Sequence, residues 1–281
     1  ANSAWVSRTF PFEPTYLRDV QQTFGAEVFA RDFAAPATLT ELNGWVRDRT
    51  QGRIPSIIPS IRADEVALLV NALHFKGEWR DRFDAGRTAD APFRVTPGRT
   101  MTVRMMQRST GAARAGTVAG AQVLELPYGG DAWAMTIVVP PVGTLRALVD
   151  TLTPAGWTRL VGSLGDAFPG TTVLLPRFRT EASLALAEPL AAMGMTRAFV
   201  PGADFSGMRA QGGLFITRVA HRTWLDVNEE GTEAAAATAT GVGVVSLPGS
   251  IAVDAPFLFA IRERLSGAVL FVGTIVTPRA P

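Results

Sequence analysis

Histidine and cysteine carry much of the nucleophilic, acid–base and zinc chemistry of proteins, and this chain nearly lacks both. His74 and His221 are its only imidazoles, and it has no cysteine. A thiolate nucleophile, a thiolate metal site and a disulfide framework are therefore excluded together. Neither histidine stands beside a nucleophile signature, since Gly-x-Ser-x-Gly and the Walker-type phosphate loop are both absent. Gly241-Val-Gly243-Val-Val-Ser246 begins like a dinucleotide fingerprint but lacks the third small residue. The chain reads as no enzyme, with no cofactor and no metal site.

One stretch has another use. Glu229-Glu-Gly-Thr-Glu-Ala-Ala-Ala-Ala-Thr-Ala-Thr-Gly-Val-Gly-Val-Val-Ser246 consists mostly of small side chains. A strand that is to slide between existing strands needs such side chains, and a pivot where it starts. Gly231, without a Cβ, tolerates large backbone changes. In an extended chain Thr232, Ala234, Ala236, Thr238 and Thr240 share one face. Glu233 lies on the other with Ala235, Ala237 and Ala239, so one face can be buried without desolvating a charge. Alone, the run reads equally well as an alanine-rich surface helix or a linker.

The elements around it belong to an α+β protein. With 281 residues, 47% of them hydrophobic and 19% charged, the chain can bury a sizeable core and is not disordered. A net charge of +2 is too small for a dedicated nucleic-acid binder, and no apolar run approaches the ~18 residues of a membrane span. No linker or repeat divides it, so 1–281 reads as a single domain. Strands are expected at 4–10, 100–106, 122–126, 133–139, 171–178 and 214–227. A hairpin of 257–262 with 268–276 turns at Leu265-Ser266-Gly267. Helices are expected at 14–24, ended by Gly25, at about 38–48 from a capping box Thr38-Leu-Thr-Glu41, and at 144–151, 154–160 and 181–193. The apolar run 66–75 fits a helix or a buried central strand.

Three blocks resemble the serpins, the loop-inserting serine-protease inhibitors. They are Asn71-Ala-Leu-His-Phe-Lys-Gly-Glu-Trp79, the Gly-Thr-Glu run with its four alanines, and Asp254-Ala-Pro-Phe-Leu-Phe259 with Leu270-Phe-Val-Gly-Thr-Ile-Val-Thr-Pro278. Weaker similarity covers essentially the whole chain. The resemblance implies a large central mixed or antiparallel sheet, further sheets, surrounding helices and a mobile reactive-centre loop at 229–250. It implies a metastable suicide-substrate inhibitor whose loop is cleaved at Val245–Ser246, and whose hinge is Glu229, Gly231, Thr232, Glu233, Ala234, Ala235, Ala236, Ala237 and Thr238. The inserted run 232–245 has fourteen residues and would carry an attached protease about 46 Å.

Asn71 and His221 match the family's pair bridging strands where the sheet must part, and Trp79 and Glu229 match positions where insertion starts. Ala1-Asn2-Ser3-Ala4-Trp5 resembles an internal strand of the family, so the domain is expected to be N-terminally incomplete. Val245 suits an elastase-like or subtilisin-like protease, and the absence of Lys and Arg from Gly231 to Ile261 disfavours a trypsin-like one. A secreted, extracellular, bacterial monomer with no nucleic-acid or membrane partner is expected. The alternative is a non-inhibitory serpin acting as a binding or structural protein.

Overall fold

Tertiary pairing makes Ala67–Asn71, within the apolar run 66–75, a strand. Ala67–Asn71 pairs antiparallel with Asn2–Ser7, from Asn2↔Asn71 to Val6↔Ala67. On its other side Asn2–Ser7 pairs in parallel with Glu27–Arg31, which makes it the centre of a three-stranded sheet. A parallel pair needs a crossover, and helix Pro14–Phe24 supplies it. Pro14 lies in the first turn, where a missing N–H costs no bond, and Gly25 ends the helix in the left-handed region at φ 57°. The strand expected at 4–10 runs instead over Asn2–Ser7, with a turn at Arg8–Thr9.

The computed structural model describes residues 2–71, 75–109, 111–167, 170–232 and 250–279. They fall into two compact units, 1–74 with 181–224 and 75–180 with 225–281. In the first unit, helix Pro36–Arg49 covers the three-stranded sheet. Its Leu42 and Val46 pack with Trp5 and Val70 of the strands and with Ile57 and Ile58 of the segment that follows the helix. Each such side chain contributes roughly 1.5–3 kcal/mol when fully buried.

The capping box expected at Thr38 does not form. The helix starts two residues earlier with Pro36 in its first turn, and Ala35 precedes it without a side-chain cap. Thr38 Oγ1 donates to Asp32 O at 2.6 Å, and Glu41 accepts from Arg31 Nε at 2.7 Å. Proline's fixed φ is preorganised for the first turn and outweighs the Thr-x-x-Glu signal. The helix expected at 181–193 is likewise corrected. The chain is strand over Phe178–Ala185 and helical only over Ala187–Ala192. Pairing with the neighbouring strand Ala220–Val227 overrides the helix propensity of an alanine- and leucine-rich run.

In the second unit a six-stranded antiparallel sheet runs in the order Gly165–Asp166, Arg114–Val118, Ala121–Pro127, Trp133–Val139, Phe257–Glu263, Val269–Ile275. Helices Leu145–Thr151 and Pro154–Gly162 cover one face, with Leu145 and Leu160 packed on Val123, Val138 and Leu258. The expected C-terminal hairpin is present, and Glu263 accepts the backbone N–H of Leu265 at 3.1 Å to hold its turn. A four-stranded sheet orders Ser250–Ala252, Thr172–Pro176, Arg99–Ser109 and Ala89–Thr96, with Ser250–Ala252 parallel to Thr172–Pro176.

A last sheet orders Phe178–Ala185, Ala220–Val227, Gly231–Thr232 and Gly77–Glu78. Thr232 is the last described residue of this sheet, and the next described residue, Ser250, belongs to the preceding four-stranded one. Among the described residues, Ala67–Asn71 has a strand on one edge only.

Candidate functional site

The site lies in the second unit, where the chain doubles back after Val227. Asn228 N–H donates to Gly231 O at 3.0 Å, and Val227 pairs antiparallel with Thr232. On the opposite side Gly231 pairs with Glu78 and Thr232 with Gly77. Two residues of the alanine-rich run's leading end therefore already sit as a strand between two others.

Close approach makes Gly231 obligatory here. A Cβ built on it would collide with the Gly77 carbonyl and lie 2.6 Å from Glu78 Cα, and its φ of 152° is one that other residues rarely adopt. Gly231→Ala is expected to unseat this strand. Thermal melting of the uncleaved chain should fall, by roughly 1–3 kcal/mol of stability. An unchanged melt would mean that the two-residue strand adds nothing.

Thr232 is fully buried, and its Oγ1 lies 2.7 Å from the Tyr128 hydroxyl. The Tyr128 ring stacks on Trp79 at 4.6 Å between centroids and 8° between planes. Trp79 Nε1 donates to Asn228 O at 2.9 Å, and its backbone N–H donates to Glu230 O at 2.8 Å. Burial pushes the Tyr128 phenol well above its usual range, against the smaller opposing effect of the Thr232 hydrogen bond. It stays a neutral O–H.

Glu229 is 4% exposed. Its carboxylate accepts from Arg177 Nε at 2.7 and 2.8 Å, pairs with Arg177 Nη2 at 2.6 Å, and accepts from the Thr88 hydroxyl. Its own backbone carbonyl accepts from Phe83 N–H at 2.9 Å. Burial alone would raise the carboxyl pKa, but the bonds from Arg177 and Thr88 outweigh it and hold the group below the ordinary glutamate value. The corner of the chain between Val227 and Gly231 is thereby clamped at Glu229, Glu230 and Asn228.

The structure brings together Glu229, Gly231, Thr232 and Trp79 of the residues expected from sequence. Asn71 and His221 lie in the first unit. Asn71 Nδ2 donates to Asn2 Oδ1 at 2.7 Å, and among the described residues no hydrogen bond joins Asn71 to the half-buried His221. Glu233, Ala234, Ala235, Ala236, Ala237, Thr238, Val245 and Ser246 fall outside the described residues. Sequence reasoning missed Tyr128, Arg177 and Thr88. Tyr128 carried a faint signal as one of only two tyrosines, and the other two carried none.

The first unit holds a cavity of about 530 Å³, lined on one side by residues 66–70 and on another by 213–220. At its margin Arg218 Nη2 donates to Glu65 Oε2 at 2.9 Å and to Ser60 O at 3.1 Å. Among the described residues no cluster of His, Cys, Asp and Glu could hold a metal ion, and no helix is long and apolar enough to cross a membrane.

The chain belongs to the serpin (serine protease inhibitor) family, whose model matches residues 1–278. The leukocyte elastase inhibitor of Sus scrofa is 36% identical over 291 residues, covering 99% of this chain and 77% of the relative. Among solved structures, thyroxine-binding globulin in complex with thyroxine superposes with a TM-score of 0.86 at 26% identity, covering 99% of this chain and 74% of that one. A cleaved ovalbumin mutant in its loop-inserted form gives 0.87 at 28% identity, with the same coverage of 99% and 74%. The serpin fold is thus common to this chain and to a relative with its loop inserted.

Proposed function

We propose that this chain is a suicide-substrate inhibitor of an elastase-like or subtilisin-like serine protease. It would trap the acyl-enzyme by adding the cleaved loop to its sheet. The observation that carries the reading is the seated pair Gly231–Thr232, the first rungs of an added strand with neighbours on both sides.

Within the first unit, the edge of Ala67–Asn71 that has no strand partner among the described residues would offer hydrogen bonds to an added strand, and the cavity along 66–70 and 213–220 would offer room for small side chains.

In the first chemical step the protease serine oxygen forms an ester with the Val245 carbonyl. The amide to Ser246 breaks, and the new amine takes the proton. Ser246 stays with the far side, whose strand Ser250–Ala252 remains in its own sheet, while the run ending at Val245 is freed to insert. Inhibition then depends on insertion outrunning hydrolysis of the ester.

The test is incubation of the full chain with elastase, subtilisin and trypsin. The expected result is an SDS-stable complex with one of the first two, none with trypsin, and a large rise in melting temperature after cleavage at Val245–Ser246. Clean cleavage with neither a complex nor a thermal rise would overturn the reading. It would favour a non-inhibitory binding protein, the alternative supported by the fold's likeness to a globulin that holds thyroxine.

A further inference from the structure

We propose that the Tyr128 hydroxyl is the seat that captures Thr232 and commits the loop to insertion, making Tyr128 a positioning residue of the inhibitory cycle. The inference rests on the inhibitor reading and adds to it the group that decides between trapping and release. Tyr128 is 2% exposed, and its ring is held face to face by Trp79 and edge-on by Phe75 at 4.9 Å. It cannot turn its oxygen to solvent without breaking that stack. Among the described residues, Thr232 Oγ1 is the only hydrogen-bond partner of the phenol.

The consequence is a two-state element. With Thr232 seated, two buried hydroxyls satisfy each other. With Thr232 withdrawn, the threonine hydroxyl is solvated and the phenol is left buried and unpaired, which is the costly member of the two states. The preference for the seated state is therefore about 5- to 150-fold, the ratio that corresponds to leaving one buried polar group unsatisfied. The bias acts at the first rung. It sets how often the loop is poised when the protease cuts, without touching the bond that is cut. A side chain of the right shape but lacking the hydroxyl would fill the space and lose the bias.

The experiment uses the full chain with elastase as the probe, comparing wild type with Tyr128→Phe, Thr232→Val, Thr232→Ser and the double variant Tyr128→Phe/Thr232→Val. Read in parallel are the partition between covalent complex and cleaved chain, the rate of loop cleavage, and amide exchange at Thr232 without protease. Tyr128→Phe and Thr232→Val should each shift the partition toward cleaved chain by at least about 5-fold and speed Thr232 exchange by a similar factor. Cleavage rates should be unaltered, Thr232→Ser should behave as wild type, and the double variant should be no worse than either single one.

A general weakening of the fold would give additive losses and no rescue by serine, and that outcome overturns the proposal. So does unchanged exchange in Tyr128→Phe while wild type still forms its complex. Failure of the inhibitor reading itself is visible separately, as a wild-type chain that is cleaved without trapping any elastase.

Discussion

Replacing Thr232 by arginine is expected to abolish the covalent complex while the loop is still cut at a near-normal rate. Thr232 is fully buried between Val227 and Gly77, and its side chain faces the Tyr128 hydroxyl. A guanidinium there would meet an O–H rather than a carboxylate, and burying an unpaired charge costs several kcal/mol. The first rung of the added strand would stay out, and every later rung depends on it. A loss of about 3 kcal/mol at this step corresponds to roughly a 150-fold fall in the trapped fraction. The proposed reactive bond Val245–Ser246 begins thirteen residues further along the sequence and is not altered by the substitution. Gel separation of complex from cleaved chain, alongside initial cleavage rates, reads both quantities. A complex yield equal to wild type would remove Thr232 from the path of insertion.

Glu229→Lys is expected to give the largest loss of stability. Glu229 is 4% exposed and holds Arg177 in a two-pronged pair while accepting from Thr88. The lysine would set two positive charges against each other in a buried corner, and breaking a buried pair costs about 3–5 kcal/mol. At about 2–4 °C per kcal/mol for a chain of this size, melting should fall by about 6–20 °C.

The pH dependence carries the same sign. The Glu229 carboxyl is held below its ordinary value of 4.5 in the folded state, so the unfolded chain binds its proton first as the pH falls. The contribution is fully present above about pH 4.5 and fades as the pH drops through the depressed folded value. Glu229→Gln should remove this part of the acid-side slope. Combining Glu229→Lys with Arg177→Glu should recover part of the lost melting temperature. A melt of Glu229→Lys within a degree of wild type would show that the pair is not a structural clamp.

The clamp also marks the division between what could be read in the chain and what could not. Short-range signals were legible. Pro14 and Gly25 bound one helix and Leu265-Ser266-Gly267 turns the last hairpin, because neighbours in sequence state these preferences. The capping box at Thr38 and the helix at 181–193 misled because each was a local preference overridden, by Pro36 in one case and by a neighbouring strand in the other. Gly231 was expected as a pivot, but its closest constraint is the backbone of Gly77 and Glu78.

The amino-acid sequence by itself determined the serpin family and the small-residue composition of the run after Gly231. Only the tertiary structure decided what holds Glu229 and Thr232: Arg177 and Thr88 lie 52 and 141 residues along the chain from Glu229, and Tyr128 lies 104 from Thr232. No local pattern encodes such pairs, since a buried carboxylate or phenol is satisfied by whichever group the fold happens to bring within 3 Å.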